Sequence, residues 1–271
     1  MINRAHAHTI RVRLRVENRE HTLANRGGLD RNVDTEMAHL DTLFEWVDGA
    51  AYFRGLPVER RTVSIAGRAI EIVGLKDAAD LLELPEFAKR FLEDDRAPYG
   101  VELWPAALML AEHILNGEDG AGRRAIEIGC GLGIVSMAAA MKGWRVDATD
   151  CDPTALHFAE YNAAINRADI EAFECLDWHD PPAGERFDRV FGADVLYELK
   201  DHVPVIKCVD CLLTEDGVAL LADPNRGVAD QFASLAWDHG FDVQLVPASE
   251  TNIRDRPVNG RIFTLRRIAK A

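Results

Sequence analysis

The sequence lacks the features that mark secreted and membrane proteins. Its 271 residues include five cysteines, an odd number at irregular spacing, which does not suit a disulfide framework and favours a reducing compartment. No apolar run approaches the roughly 20 residues needed to span a bilayer, and the amino terminus lacks the apolar segment of a secretory signal. We therefore predict a cytoplasmic protein with no membrane partner.

Basic residues are scarce relative to acidic ones. The chain has 31 Lys and Arg against 45 Asp and Glu, which gives a formal net charge of −14. Outside any local basic patch, this charge would repel a nucleic acid, so we predict no nucleic-acid partner. A cationic group, such as a lysine side chain, fits the field better.

A metal site is not predicted either. Cys208 and Cys211 form a C-x-x-C pair, but the pair falls on a predicted helix and no second pair lies nearby. Structural zinc sites use four ligands, commonly as two such pairs. We interpret the two cysteines as small residues on a packed helix face.

From residue 124 onward, segments typical of strands alternate with segments typical of helices. Repeated βα units joined by short loops predict a parallel sheet with helices on both faces. The strand segments are RAIEI, WRVDATD, IEAFECLDW, FDRVFGADVLY and GVALLAD, followed by FDVQLV and RIFTLRRI as a final pair.

The first 97 residues have a different pattern. We predict a strand at 9–16, a helix near 35–47, a hairpin at 61–75 and a helical stretch at 77–94 interrupted by Pro85. Pro98 and Gly100 punctuate the chain after this stretch. The prediction is therefore an α+β amino-terminal extension at 1–97, which recognises substrate, followed by a catalytic domain at 98–271.

The strongest local motif is EIGCGLG at residues 127–133. Closely spaced glycines after a strand allow a sharp turn and let a ligand approach the backbone at the next helix. The spacing of Gly129, Gly131 and Gly133 departs from the dinucleotide fingerprint G-x-G-x-x-G, which requires a glycine where Ile134 stands. This departure argues against NAD and for a ligand without a pyrophosphate, namely S-adenosylmethionine. Glu127, two residues before the first glycine, is also expected at such a site.

Two further segments predict contacts with the nucleoside of that ligand. Asp150 follows Gly129 by about 20 residues, the spacing at which an acid binds ribose hydroxyls. The alternative is that Asp150 caps the helix that begins at Pro153, although Asp152 is better placed for this. In LDW, Asp177 is expected to bind the adenine amino group and Trp178 to contact the ring, unless Trp178 merely fills the end of the sheet.

Several motifs, in this order, resemble those of one family across residues 98–225: GVELWPAALMLAEHIL, AIEIGCGLGIVSMAAA, VDATDCDPTALHFAEYNAAIN, LDW and FDRVFGADVLYE. The chain is similar to the seven-strand, S-adenosylmethionine-dependent lysine methyltransferases related to those of the electron-transfer-flavoprotein β-subunit, valosin-containing protein and calmodulin. The resemblance implies an α/β, Rossmann-like seven-stranded methyltransferase sheet. It also implies S-adenosylmethionine as methyl donor and a protein that presents a lysine as partner.

The resemblance further implies roles for residues near the ends of the motifs. The family carries an aspartate and an aromatic residue three apart after strand four, matched here by Asp194 and Tyr197, which are predicted to be catalytic. Trp104 is expected to touch the donor, and Ala193 is grouped with the donor-binding residues. The long amino-terminal extension and the segment ADPNR after strand five depart from the family, so the substrates of its members do not carry over.

The chemistry of methyl transfer suggests what the pair at 194 and 197 does. The Asp194 carboxylate is expected to attract and orient the incoming ammonium, and the Tyr197 ring to hold it by a cation–π contact. The alternative is a helix-capping Asp194 and a core Tyr197. The main hypothesis is a protein-lysine N-methyltransferase. The alternatives are a small-molecule amine or pyridine N-methyltransferase and a non-catalytic regulatory protein that binds the donor.

Overall fold

The computed structural model describes residues 44–47, 50–94, 97–251, 253 and 257–269. The strand predicted at 9–16 and most of the helix predicted near 35–47 lie outside these residues. The predicted end of that helix is wrong, because Glu45–Val47 forms a strand, β1, which pairs with β2, Ala50–Phe53, in antiparallel register. The conformation of this segment depends on pairing with β2, which the local sequence pattern does not indicate.

The described part of the amino-terminal region is built on a four-stranded antiparallel sheet in the order β1-β2-β3-β4. The long strands β3, Leu56–Ile65, and β4, Arg68–Leu75, form the predicted hairpin. Its two-residue turn, Ala66 and Gly67, has φ angles of 48° and 75°. Positive φ at both turn residues matches the right-handed twist of the strands.

Short helices connect this sheet to the rest of the chain. A 3-10 turn, Ala78–Glu83, precedes α1, Pro85–Asp94, and a second 3-10 turn, Tyr99–Val101, precedes α2, Pro105–Asn116. Both α-helices begin at a proline, which lacks the N–H that the first turn would leave without a partner. Pro85 therefore starts a helix at the point where the predicted helical stretch is interrupted.

The second sheet has seven strands in the order β10-β11-β9-β8-β5-β6-β7. The five strands from β5 to β9 pair in parallel, whereas β11 is antiparallel to β9 and to β10. The predicted α/β fold is confirmed. The strands are β5 Arg124–Ile128, β6 Arg145–Asp150, β7 Ala172–Cys175, β8 Phe187–Ala193, β9 Leu213–Asp223, β10 Phe241–Glu250 and β11 Val258–Arg267.

Helices cover both faces of this sheet. They are α3 Ile134–Met141, α4 Pro153–Ile165, α5 His202–Leu212 and α6 Phe232–Asp238. Alternate residues of β5 belong to different hydrophobic clusters: Ala125 packs with α2, α3 and α4, whereas Ile126 and Ile128 pack with α5 and α6. None of the described helices combines the length and apolar character that crossing a bilayer requires.

The amino-terminal sheet packs directly on α4. The rings of Phe44 and Phe53 contact Phe158, with centroids 5.5 and 5.2 Å apart. The Asn162 side chain accepts a hydrogen bond from the Val73 amide at 2.8 Å and donates to the Val73 carbonyl at 3.0 Å. The edge strand β4 leaves these backbone groups without a strand partner, and the side-chain amide of Asn162 on α4 binds them instead. The residues on either side of position 97 thus share one core, while their division into substrate recognition and catalysis stays a prediction.

Candidate active site

The predicted site residues gather at the carboxyl ends of the parallel strands. In the sheet, β5 lies between β6 and β8. The chain proceeds from β5 to β6 on one side and from β8 to β9 on the other, so the strand order reverses between β5 and β8. Open α/β sheets bind ligands at such a switch point because the loops diverge there. The residues after β5, β6, β8 and β9 therefore line one edge of the sheet.

The glycine loop lies at the centre of this edge. Gly129, Gly131 and Gly133 have φ angles of 65°, 52° and 79°, a region that side chains disfavour. A Cβ on Gly129 would lie 3.1 Å from Val195 Cγ1 and 3.3 Å from Trp178 Cζ3. The loop after β5 therefore meets both the LDW segment and the segment after β8 at one glycine.

Asp150 is tied to the glycine loop. Its Oδ2 accepts a hydrogen bond from the Gly131 amide and its Oδ1 one from the Asp152 amide, both at 2.9 Å. Burial raises the pKa of Asp150 to about 6. Asp152, in turn, caps α4 by accepting from Thr154 N at 3.0 Å. The helix cap is thus Asp152, and Asp150 faces the glycine loop, as the ribose prediction requires.

Glu127 occupies a different environment from the other predicted donor-binding residues. It is 1% exposed, and its Oε2 accepts from the Ser136 amide at 2.8 Å and from the Ser136 hydroxyl at 2.5 Å. Burial raises the pKa of Glu127 to about 8. The side chain joins β5 to α3 beneath the loop, which accounts for an acid here without ligand contact; its role in donor binding stays a prediction.

The remaining predicted donor-binding residues flank the loop. Asp177 Oδ1 accepts from the His179 amide at 2.9 Å, which holds the turn after β7. Trp178 is half-buried, with its ring edge against Gly129. Ala193 is the last residue of β8 and is also half-buried. Trp178 therefore lies against the glycine loop, Ala193 ends the strand next to β5, and Asp177 lies in the turn that carries Trp178.

Asp194 is paired with a basic side chain. It is 8% exposed, has a φ of 58°, and its amide donates to the Ala222 carbonyl at 2.9 Å. Arg226 binds both of its oxygens: Nε donates to Oδ1 at 2.7 Å and Nη2 to Oδ2 at 2.9 Å. Bidentate arginine–carboxylate pairs are among the strongest side-chain hydrogen bonds. The carboxylate therefore carries a fixed counter-charge.

The backbone of Arg226 is itself fixed by hydrogen bonds to other side chains. Its amide donates to Asp223 Oδ1 at 2.9 Å, and its carbonyl accepts from Arg261 Nη2 at 3.0 Å. The hydrogen bonds to Asp194 raise the pKa of Arg226. Arg226 is not among the residues predicted from the sequence, although it lies in ADPNR, directly after a strand that ends at the site edge. That position was the available signal.

Aromatic rings complete the arrangement. The Arg226 guanidinium lies 5.7 Å from the centroid of the Trp104 ring. Tyr99 packs edge-on against both Trp104, at 5.8 Å, and Tyr197, at 6.0 Å, and its carbonyl accepts from Trp104 Nε1 at 2.9 Å. Burial raises the pKa of Tyr197, so its phenol stays protonated. Asp194 and Tyr197 are thus linked through Arg226, Trp104 and Tyr99.

The chain is similar to known lysine methyltransferases. Residues 86–235 match the family model described as lysine methyltransferase. The protein N-lysine methyltransferase METTL21A of Danio rerio is 31% identical over 53% of this chain and 69% of its own length. The electron transfer flavoprotein beta subunit lysine methyltransferase of Danio rerio is 38% identical over 48% of this chain, which spans about half (51%) of that relative.

A solved structure shows the same fold. The chain resembles one from the complex between the Haloferax volcanii Trm112 methyltransferase activator and a methyltransferase, with a TM-score of 0.51. The identity is 14%, over 72% of this chain and 99% of the other. At this identity the likeness concerns the fold alone.

Proposed function

Because this chain belongs to the lysine methyltransferase family, we propose that its sheet edge binds S-adenosylmethionine beside a protein lysine, with Asp194 and Tyr197 at the acceptor end. The family and enzyme class predicted from the motifs are confirmed: the chain is an S-adenosylmethionine-dependent lysine methyltransferase. The roles of individual residues in the reaction are a proposal.

One observation supports this site above the others. At Gly129, the donor loop touches both Trp178, from the predicted adenine segment, and Val195, directly after Asp194. Three motifs far apart in sequence therefore meet within one side chain's reach. Methyl transfer needs donor and acceptor in line and close together, so this meeting is what the reaction requires.

The residues present fit the methyl donor. Asp150 accepts backbone hydrogen bonds from Gly131, Asp152 and Cys151, and a carboxylate has about four acceptor sites, so it can still receive a ribose hydroxyl. The glycine loop contacts that carboxylate at Gly131 and the Trp178 ring at Gly129. When bound, S-adenosylmethionine would supply an electrophilic methyl on a sulfonium. Trp104, Ala193 and Asp177 are proposed to complete the donor site.

The chain's own groups would position the acceptor. Asp194 would accept a hydrogen bond from the lysine nitrogen, and Tyr197, whose phenol stays protonated, would form an aromatic wall that excludes water. Neither group has to act as a strong base, because the proton released can leave through water. Orientation would then account for much of the rate.

We also propose a protein substrate that the amino-terminal region helps to recognise, and a cytoplasmic location. Packing of the amino-terminal sheet on α4, next to the glycine loop, supports the first proposal, since Asn162 also donates to the Leu132 carbonyl at 3.0 Å. The five cysteines, all of them among the described residues, form no disulfide, which agrees with a reducing compartment.

The test is incubation with tritiated S-adenosylmethionine and lysate of the source organism. Label on a protein, recovered as methyl-lysine after digestion, is the expected result, and the Asp194→Asn variant should reduce it. Label confined to the small-molecule fraction would favour a small-molecule methyltransferase. Tight binding of the donor with no transfer to either fraction would favour the non-catalytic alternative.

A further inference from the structure

The acceptor end presents an electrostatic problem that the structure resolves. Methyl transfer requires a neutral amine, because the ammonium has no lone pair to form the new bond. An unpaired carboxylate in a buried site stabilises the ammonium, since an opposite charge within about 4–6 Å favours the charged form. A solitary Asp194 would attract lysine and also hold it in the unreactive state.

Arg226 removes this problem by its contacts. It donates to both Asp194 oxygens, at 2.7 and 2.9 Å, so the carboxylate charge is compensated at its source. Each oxygen still has acceptor capacity for one further hydrogen bond from a substrate amine. Asp194 can therefore orient the nitrogen without adding a net negative charge to the site.

The other charged groups around this pair also compensate one another. Asp223, behind Arg226, is fully buried and pairs with Arg261 at 3.2 Å. The Tyr99 phenol is the remaining neighbour that acts on the Arg226 charge. On the Tyr197 side, the acidic groups that act on the phenol are Asp150, Cys151, Glu198 and Asp201. Among the described residues, Arg226 is thus the cation that binds Asp194, while Lys200 pairs with Glu198 and His179 contacts Asp201 on the Tyr197 side.

We propose that Arg226 is a positioning residue that cancels the charge of Asp194, so that the acceptor lysine binds as the neutral, reactive amine. This inference rests on the proposed function of Asp194. The lysine nitrogen's lone pair then forms the N–C bond, the electrons of the broken C–S bond return to sulfur, and the methylated ammonium loses its proton to water. Arg226 acts through Asp194 and through its contact with Trp104, without touching the reacting atoms.

The test determines the protonation state of a bound amine from the pH dependence of its affinity. The probe is an adenosyl analogue of the donor in which a primary alkylamine arm replaces the methyl group. The reference is the same analogue with an arm that ends in a methyl group. Calorimetry from pH 6 to 10 gives the ratio of the two affinities. Both probes bind the same folded fraction, so partial unfolding of a variant cancels from the ratio.

In the wild type, the ratio should rise with pH, because the site prefers the neutral amine. Arg226→Gln should raise the ratio at pH 7 by roughly tenfold, the effect of one pKa unit, and flatten its pH dependence, because Asp194 then accepts the ammonium. Arg226→Lys keeps the charge and should restore the wild-type trend. Arg145→Gln removes an arginine outside this network, one that pairs with Glu171 at the amino end of β6, and it should also follow the wild type.

Two outcomes would contradict the inference in distinguishable ways. If both probes bind with equal affinity to the wild type at every pH, no amine site lies beside the donor, and the proposed acceptor site fails together with this inference. If the wild type discriminates between them and Arg226→Gln keeps the same ratio at each pH, the acceptor site stands and the role of Arg226 is wrong.

Discussion

The sheet edge has a donor half, formed by the glycine loop with Glu127 and Asp150, and an acceptor half, formed by Asp194, Tyr197 and Arg226. The two halves hold their charged groups in different ways. In the donor half, backbone amides bind Asp150, and Ser136, nine residues away, binds Glu127. In the acceptor half, Asp194 depends on the side chain of Arg226, 32 residues away on a neighbouring strand's loop. The donor half thus holds its carboxylates through neutral donors, namely backbone amides and a hydroxyl, and the acceptor half through an ion pair between loops.

This difference predicts how each half responds to substitution. Substitution of a carboxylate that is bound by backbone amides removes only that carboxylate's own interactions. Substitution of a carboxylate in an ion pair also leaves the charged partner without its counter-charge. Removing one member of such a pair is costly because the other stays partly desolvated. We therefore expect the largest effect on activity in the acceptor half.

The largest expected effect is that of Asp194→Asn. The variant keeps the size of the side chain and tolerates the positive φ of 58°, but leaves Arg226 without its counter-charge. Single-turnover methyl transfer to the labelled protein should slow by about 100-fold or more, roughly 3 kcal/mol. Affinity for S-adenosylhomocysteine, measured by calorimetry, should change little. Normal turnover by a folded variant would remove Asp194 from the mechanism.

The next effect is expected from Gly129→Ala in the donor half. The new Cβ would meet Val195 and Trp178 at 3.1 and 3.3 Å, with φ at 65°. Strain of about 1–2 kcal/mol should weaken S-adenosylhomocysteine binding by roughly tenfold. Gly67→Ala is the matched control, because its φ is 75° and its Cβ would meet nothing within 4 Å. The control should lose stability and keep its affinity; equal losses of affinity would contradict the prediction.

A comparable or smaller effect is expected when Asp150 loses its charge. Asp150→Asn should weaken binding of S-adenosylhomocysteine by about 1.5 kcal/mol, because a hydrogen bond to a charged acceptor is lost. The pKa of Asp150 is raised to about 6, so wild-type affinity should fall as pH drops through that value. The Asn variant should lack this fall. A wild-type profile that is flat from pH 5 to 8 would argue against ribose binding by Asp150.

The smallest effect on binding is expected from Glu127→Gln, which sharpens the comparison within the donor half. The folded-state pKa of Glu127, about 8, exceeds the ordinary glutamate value of 4.5, so wild-type stability should fall as pH rises between these values. The neutral variant should lack that loss. Denaturant unfolding at pH 6 and 9 measures this. A large drop in donor affinity in the variant would restore Glu127 as a donor-binding residue.

Much of the fold could be predicted because it depends on local patterns. Alternation of strand and helix segments after residue 124, the hairpin at 61–75 and the capping of α4 by Asp152 each follow from periodicity or turn chemistry within a short segment. The strand Glu45–Val47 could not be predicted in the same way. Its conformation depends on pairing with β2, and a three-residue strand has no periodicity of its own.

The candidate site likewise contains residues that a local pattern indicates and residues that only tertiary contacts reveal. Gly129, Asp150 and Asp194 could be selected because a glycine loop and acids at strand ends have a recognisable spacing. Tyr99 could not, because its importance lies in which rings it contacts, and Arg226 offered only its position after a strand end, which does not indicate that it pairs with Asp194. Asn162 is a further case, since its bonds to Val73 join segments 89 residues apart.

The sequence by itself determined the order of strands and helices, the glycine turn and the acids at the sheet edge, because each is encoded within one segment. Tertiary structure alone decided that Asp194 is paired and Glu127 enclosed. The β8–β9 pairing and the left-handed turn at Asp194 bring the carboxylate to Arg226, and α3 covers Glu127 through Ser136. Charge compensation depends on distances between loops of different strands, and no spacing within one segment specifies those distances.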